Sequence, residues 1–148
     1  MEEVVADNAQ AQTATPTVDR KLAARWGKHS SLFSRPEGWV GVPDFFLRGH
    51  ANLKPYAITP TEAMLVLQLM AFKWTEDDPF PSYARLAGRM GVTVKQVRRI
   101  ARSIEAKGYL KRVGRIGNSN KFNLQPLFDA LAAAQQEEAE RKQGSQVN

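Results

Sequence analysis

Two short amphipathic segments separated by one glycine constrain this chain more than any other feature. They lie in residues 82–110, SYARLAGRMGVTVKQVRRIARSIEAKGYL. Leu86, Ala87 and Met90 share one helical face. Val97, Ile100, Ala101 and Ile104 then recur at i, i+3, i+4 and i+7, the spacing of a buried helical stripe. Lys95, Arg98, Arg99 and Arg102 repeat that spacing two residues out of step. Two residues rotate a helix by about 200°, so the cations must face away from the apolar seam. The pattern predicts helices over 83–90 and 94–107. Ser82 is placed to cap the first. Thr93, with Gln96 three residues later, is placed to close a capping box on the second. Gly91 falls where the chain must reverse and Gly108 where the second helix must end, both suited to positive φ.

Charge is concentrated in the same region. Between Arg85 and Lys121 there are eleven Lys/Arg and one acid, Glu105, a net +10; the remaining ten cations and fourteen acids sum to −4. Such a block is the electrostatic footprint of a polyanion partner. The plainer reading is a solvated face, which ordinarily mixes both signs. The chain of 148 residues has no cysteine, which excludes disulfides, thiolate zinc sites and a cysteine nucleophile. No apolar run reaches membrane-spanning length, and the N-terminus lacks the pattern of a secretory signal. These features predict a cytoplasmic, nucleoid-associated protein with no membrane contact. His29 and His50 fit no metal-binding spacing, and no catalytic signature surrounds them, so neither an enzyme nor a metal site is expected and no cofactor is implied.

Three parts are predicted. Residues 1–31 form a flexible N-terminal tail, with a short helix conceivable over 19–26. Residues 32–125 form the main domain. Its aromatic lead-in contains Phe33, Trp39, Val40, Val42, Phe45, Phe46 and Leu47, with a short strand at 39–42 and a helical turn after Pro43; these aromatics are expected to cover one side of the core. Thr59, Pro60 and Glu62 mark a helix start. That helix is apolar nearly all round through Trp74 and should be buried, with Met64 and Met70 as core filler. The acids Glu76, Asp77 and Asp78 mark a solvated turn. Residues 126–148 form a C-terminal helix opened by Pro126 and fraying at its end. Its apolar stripe (Leu127, Phe128, Leu131) suits either packing on the domain or a homodimer contact.

After Gly108, Tyr109, Leu110 and Val113 suggest one strand, and Phe122 and Leu124 a second. Residues 114–120, GRIGNSN, connect them and lack the ending of a phosphate-binding nucleotide loop.

The segment from Ala87 through Gly91 to Ile100, with Leu86, Met90, Val92 and Val97 at fixed offsets, resembles the helix-turn-helix of bacterial and phage DNA-binding proteins. With the helix before it and the hairpin after it, the resemblance extends to the winged helix. It implies a mainly α fold: a winged helix-turn-helix with a three-helix core and a β-hairpin wing, flanked by an N-terminal segment and a C-terminal helix. It also implies that Thr93, Val94, Lys95, Arg98, Arg99 and Arg102 read bases in double-stranded DNA. Ser82 and the wing residues Arg112, Arg115, Asn118, Ser119, Asn120 and Lys121 would then contact phosphate or the minor groove. The order PFPSYARLAGRMGV, basic helix, EAKGYLKR and asparagine-bearing wing is also loosely similar to replication initiators of plasmids and phages, and GWVGVPDFFL resembles their lead-in. Three functions follow: a sequence-specific transcriptional regulator as the first expectation, a replication-initiation protein, or a winged-helix module that binds an acidic protein.

Overall fold

The computed structural model describes residues 24–33, 38–73 and 75–147. The described residues belong to two compact units, one ending at Val40 and one beginning at Gly41. In the first, residues 24–26 are helical and run into a 3-10 helix, Gly27–Leu32. Trp26 stacks on Phe33 there, with ring centroids 5.1 Å apart. Most of the expected N-terminal tail, and Trp74, lie outside the described residues. The expected strand at 39–42 does not form. The only sheet among the described residues is a two-stranded hairpin far along the chain.

The second unit holds the elements that position the site. They are α1 (Asp44–Gly49), a 3-10 turn (His50–Asn52), α2 (Pro60–Ala71), α3 (Tyr83–Met90), α4 (Val94–Ala106), β1 (Lys111–Arg115), β2 (Asn118–Asn123) and α5 (Gln125–Val147). This is a winged helix-turn-helix: three helices, α2 to α4, followed by an antiparallel hairpin.

Local chemistry sets the helix ends. Thr59 and Glu62 close a capping box on α2, Thr93 and Gln96 close one on α4, and the Ser82 hydroxyl accepts from the Arg85 amide on α3. Gly91 ends α3 at φ +69°, in the left-handed region that a β-carbon disfavours. The Val92 amide then donates back to the Ala87 carbonyl, closing the turn that aims α4.

Phe46, Ile58, Leu65, Val66, Leu69, Leu86, Val97, Ala101, Ile104, Phe122 and Leu127 are all but fully buried in one core. Ile100 is half-buried at the edge of the seam. The lead-in contributes less than its composition suggests. Phe46 is buried, Val42 and Phe45 pack at the margin, and Leu47 is exposed. The expectation for Met64 is overturned: it is exposed, whereas Met70 is buried. Helix α2 is covered on most sides by α3 and α4 but keeps one open strip. It also ends at Ala71, three residues before Trp74, where Phe72 donates back to Leu69 and Met70 and Lys73 binds the carbonyls of Glu76 and Asp77.

One charged group lies inside. Glu62, 3% exposed, accepts from the Thr59 amide, from Ser103 Oγ at 2.6 Å and from Lys107 Nζ at 2.6 Å. It therefore ties the start of α2 to the end of α4. Burial alone would raise its pKa, but the bonds from Lys107, Ser103 and Thr59 outweigh burial and hold it below the usual carboxylate range. A depressed folded-state pKa contributes stability above the unfolded pKa, and that contribution disappears as pH falls through the folded value. Glu62→Ala should destabilise the domain by about 3 kcal/mol at neutral pH, because it removes a cap and leaves Lys107 partly buried without its counter-ion. Urea unfolding at about pH 7 and about pH 3 checks this; wild type should lose more of its midpoint on acidification than Glu62→Gln does.

Candidate nucleic-acid interface

Helix α4 carries the site because its two faces have opposite chemistry. Val97, Ala101 and Ile104 are fully buried, while Lys95, Arg98, Arg99 and Arg102 are all exposed. Lys95, Arg99 and Arg102 have no hydrogen-bond or ion-pair partner among the described residues. Arg98 lies over the Tyr83 ring, 5.4 Å from its centroid, which holds the guanidinium beside the groove next to α4. Thr93 is exposed at the start of α4, but its hydroxyl is engaged in the capping box with Gln96; Val94 is half-buried.

The hairpin is longer and tighter than its composition indicates. Lys111 pairs with Asn123, Arg112 with Phe122, Val113 with Lys121 and Arg115 with Asn118, with an irregularity between Val113 and Arg115. The expected connection at 114–120 shrinks to a two-residue turn, Ile116 and Gly117, in which Gly117 has φ +71°. Asn118, Ser119 and Asn120 therefore stand on β2 rather than in a loop. Tyr109 and Leu110, assigned to the first strand by sequence, are instead buried ahead of it. The Tyr109 hydroxyl bonds both the amide and the carbonyl of Tyr56, which explains why a tyrosine is required inside. The Phe122 amide donates to the Pro79 carbonyl at 2.8 Å and fixes the wing to the loop before α3.

Ser82, Tyr83, Val94 and Arg98 on one side, and Gly117, Asn118, Ser119 and Asn120 on the other, line an open cleft of about 620 Å³. Of the sequence-predicted residues, Ser82, Val94, Arg98, Asn118, Ser119 and Asn120 line this cleft, whereas Thr93, Lys95, Arg99, Arg102, Arg112, Arg115 and Lys121 are not among its lining. Ser82 Oγ accepts from the Arg85 amide as a cap. The Arg112 guanidinium is turned inward: it pairs with Glu105 at 2.8 Å and donates to the Tyr83 hydroxyl at 2.7 Å. The hydrogen bonds that Arg112 donates to Glu105 raise the Arg112 pKa, and those same bonds lower that of Glu105. Arg112, expected among the DNA-contacting residues, serves here as a brace between α4, α3 and the wing. Arg115 is also partly engaged, donating to the Ser119 carbonyl at 2.7 Å and lying over Phe80. Lys107 is the other cation of the basic block turned inside, onto Glu62.

Tyr83 is the residue that sequence reading passed over. Its hydroxyl receives Arg112 Nη1 and Asn120 Nδ2, and its ring meets Arg98 and the edge of Phe122. It joins α4 to the wing. The available signal was its position three and four residues before Leu86 and Ala87, which extends the apolar seam of α3 with a polar-tipped ring. His50, which sequence reading left unassigned, donates from Nδ1 to the Ile58 carbonyl at 2.7 Å.

Residues 56–110 match the family model described as a helix-turn-helix domain, a DNA-binding class, and the match covers α2, α3 and α4. No curated protein matches the chain. Among the described residues, no helix is long and apolar enough to cross a membrane.

Tyr83→Phe should keep the fold at a cost of about 1 kcal/mol and loosen the wing. Hydrogen exchange at the β2 amides checks this; faster exchange there with unchanged exchange in α2 is the expected result.

Proposed function

We propose that this protein binds double-stranded DNA in a sequence-specific manner and acts as a transcriptional regulator in the cytoplasm, a binding protein rather than an enzyme. One observation carries the reading: α4 buries its aliphatic seam and presents Lys95, Arg98, Arg99 and Arg102 to solvent. A helix of this width fits the major groove, where arginine can bond guanine O6 and N7 with both arms of its fork. Arg99 and Arg102 are unengaged and can divide between bases and phosphates. Arg98, stacked on Tyr83 at the cleft, is placed to reach a base edge with its orientation already fixed. Each such bidentate contact is worth about 1–3 kcal/mol of base discrimination.

The cleft between α4 and the wing supplies the second part. Its rim offers donors from Arg98, Asn118, Ser119 and Asn120, a set suited to a phosphodiester strand. A strand lying there has the major groove on one side, with α4, and the minor groove on the other, with the wing tip. Lys121 and Lys111 on the wing add charge without base geometry. A homodimer through α5 remains part of this proposal. Leu127 and Leu131 are buried in the core, so a partner would have to use the later, polar turns.

Binding to duplex DNA should weaken steeply with salt; for about six neutralised phosphates the logarithmic slope is about −5. A slope near zero, measured by fluorescence anisotropy, overturns the reading. Arg98→Ala should change the sequences recovered from a random duplex pool, whereas Lys121→Ala should weaken binding to all of them alike. Selection of bound fragments from the source genome tests the regulatory role: sites upstream of genes support it, and clustered repeats at an origin would assign replication initiation instead.

A further inference from the structure

We propose that Ile116, at the tip of the wing, is an apolar wedge that inserts into the minor groove and unstacks a base step. This rests on the DNA-binding reading above. The tip is unusual in its chemistry. Ile116 is fully exposed, at 102% of its reference area, inside a turn otherwise built of glycine and asparagine. The adjacent cation is engaged elsewhere: Arg115 donates to the Ser119 carbonyl and lies 4.6 Å from the centroid of Phe80. The turn is also narrow and fixed. Gly117 at φ +71° allows only two residues between Arg115 and Asn118, and Asn118 Nδ2 donates to the Ile116 carbonyl at 3.3 Å. The hairpin thus ends in one exposed, branched hydrocarbon side chain.

The occupant follows from charge and continuity. The tip is continuous with the rim of the cleft that holds Asn118 and Ser119, and the exposed charge around it is positive. With a strand in that cleft, the tip meets the minor groove. Isoleucine has no donor to offer a base edge, but it can fill the space between two base pairs, as apolar wedges do when they kink a duplex. Pyrimidine–purine steps unstack most readily. The wedge therefore adds a preference for TA or CA/TG at one position that no polar side chain reads, together with a bend.

The test uses the full chain and a duplex of about 25 base pairs recovered by selection from a random pool. 2-Aminopurine is placed at successive positions, and donor and acceptor dyes at the ends. Wild type should raise 2-aminopurine fluorescence several-fold at one step and shorten the end-to-end distance. Ile116→Ser should abolish both, while keeping the salt slope and binding within roughly tenfold of wild type. Ile116→Leu should restore both. An unbent duplex, or equal bending and unstacking by wild type and Ile116→Ser, overturns the wedge alone. Failure of wild type to bind any duplex overturns the DNA reading and the wedge with it.

Discussion

The burial of the α4 seam against α2 and α3 is the interaction on which the rest depends. Val97, Ala101 and Ile104 have no exposed surface, and a helix fixed by three such contacts cannot roll without exposing them. At about 25 cal/mol per Å² of apolar surface, rotation by even one residue position is costly. Because the cations are offset by two residues, fixing the seam also fixes where they point. Gly91 and the Thr93–Gln96 capping box set where α4 begins; Glu62 and Lys107 hold where it ends.

Electrostatics is divided between two tasks. Lys107 and Arg112 face acids within the fold, Glu62 and Glu105, and neutralise the groups that would otherwise be isolated. The remaining cations of the block are left at or near the surface. A further network of Asp44, Arg48, Glu138 and Lys142 joins α1 to α5. It is exposed on the arginine side, and such pairs contribute little to stability; it orients α5 more than it holds it.

The wing is tied to α3 and α4 through Tyr83. Three independent contacts converge on this side chain: the Glu105–Arg112 brace, Asn120 from β2, and Arg98 from α4. The cleft is consequently bounded by two walls that share an anchor. A two-stranded hairpin is marginal by itself, so this anchoring, with the Phe122 amide on Pro79, is what gives the wing a defined position.

Most of the helical framework was legible in the sequence, because capping and period-3.6 burial are local rules. The limits of α3, the caps at Ser82, Thr59 and Thr93, the left-handed glycines and the outward face of α4 all follow from residues within one or two turns. The wing was harder. Its asparagines and glycines indicate a loop by composition, yet pairing of β1 with β2 turns all of residues 114–120 except Ile116 and Gly117 into strand, and that pairing is not local. The lead-in differs for a related reason: 39–42 has strand-like residues, but a strand forms only with a pairing partner, which local sequence does not specify. The sequence by itself determined that a cationic helix face lies opposite an apolar one. Only the tertiary structure decided which cations are free to act, since Arg112 and Lys107 find their acids at close range only when α2, α4 and the hairpin have come together.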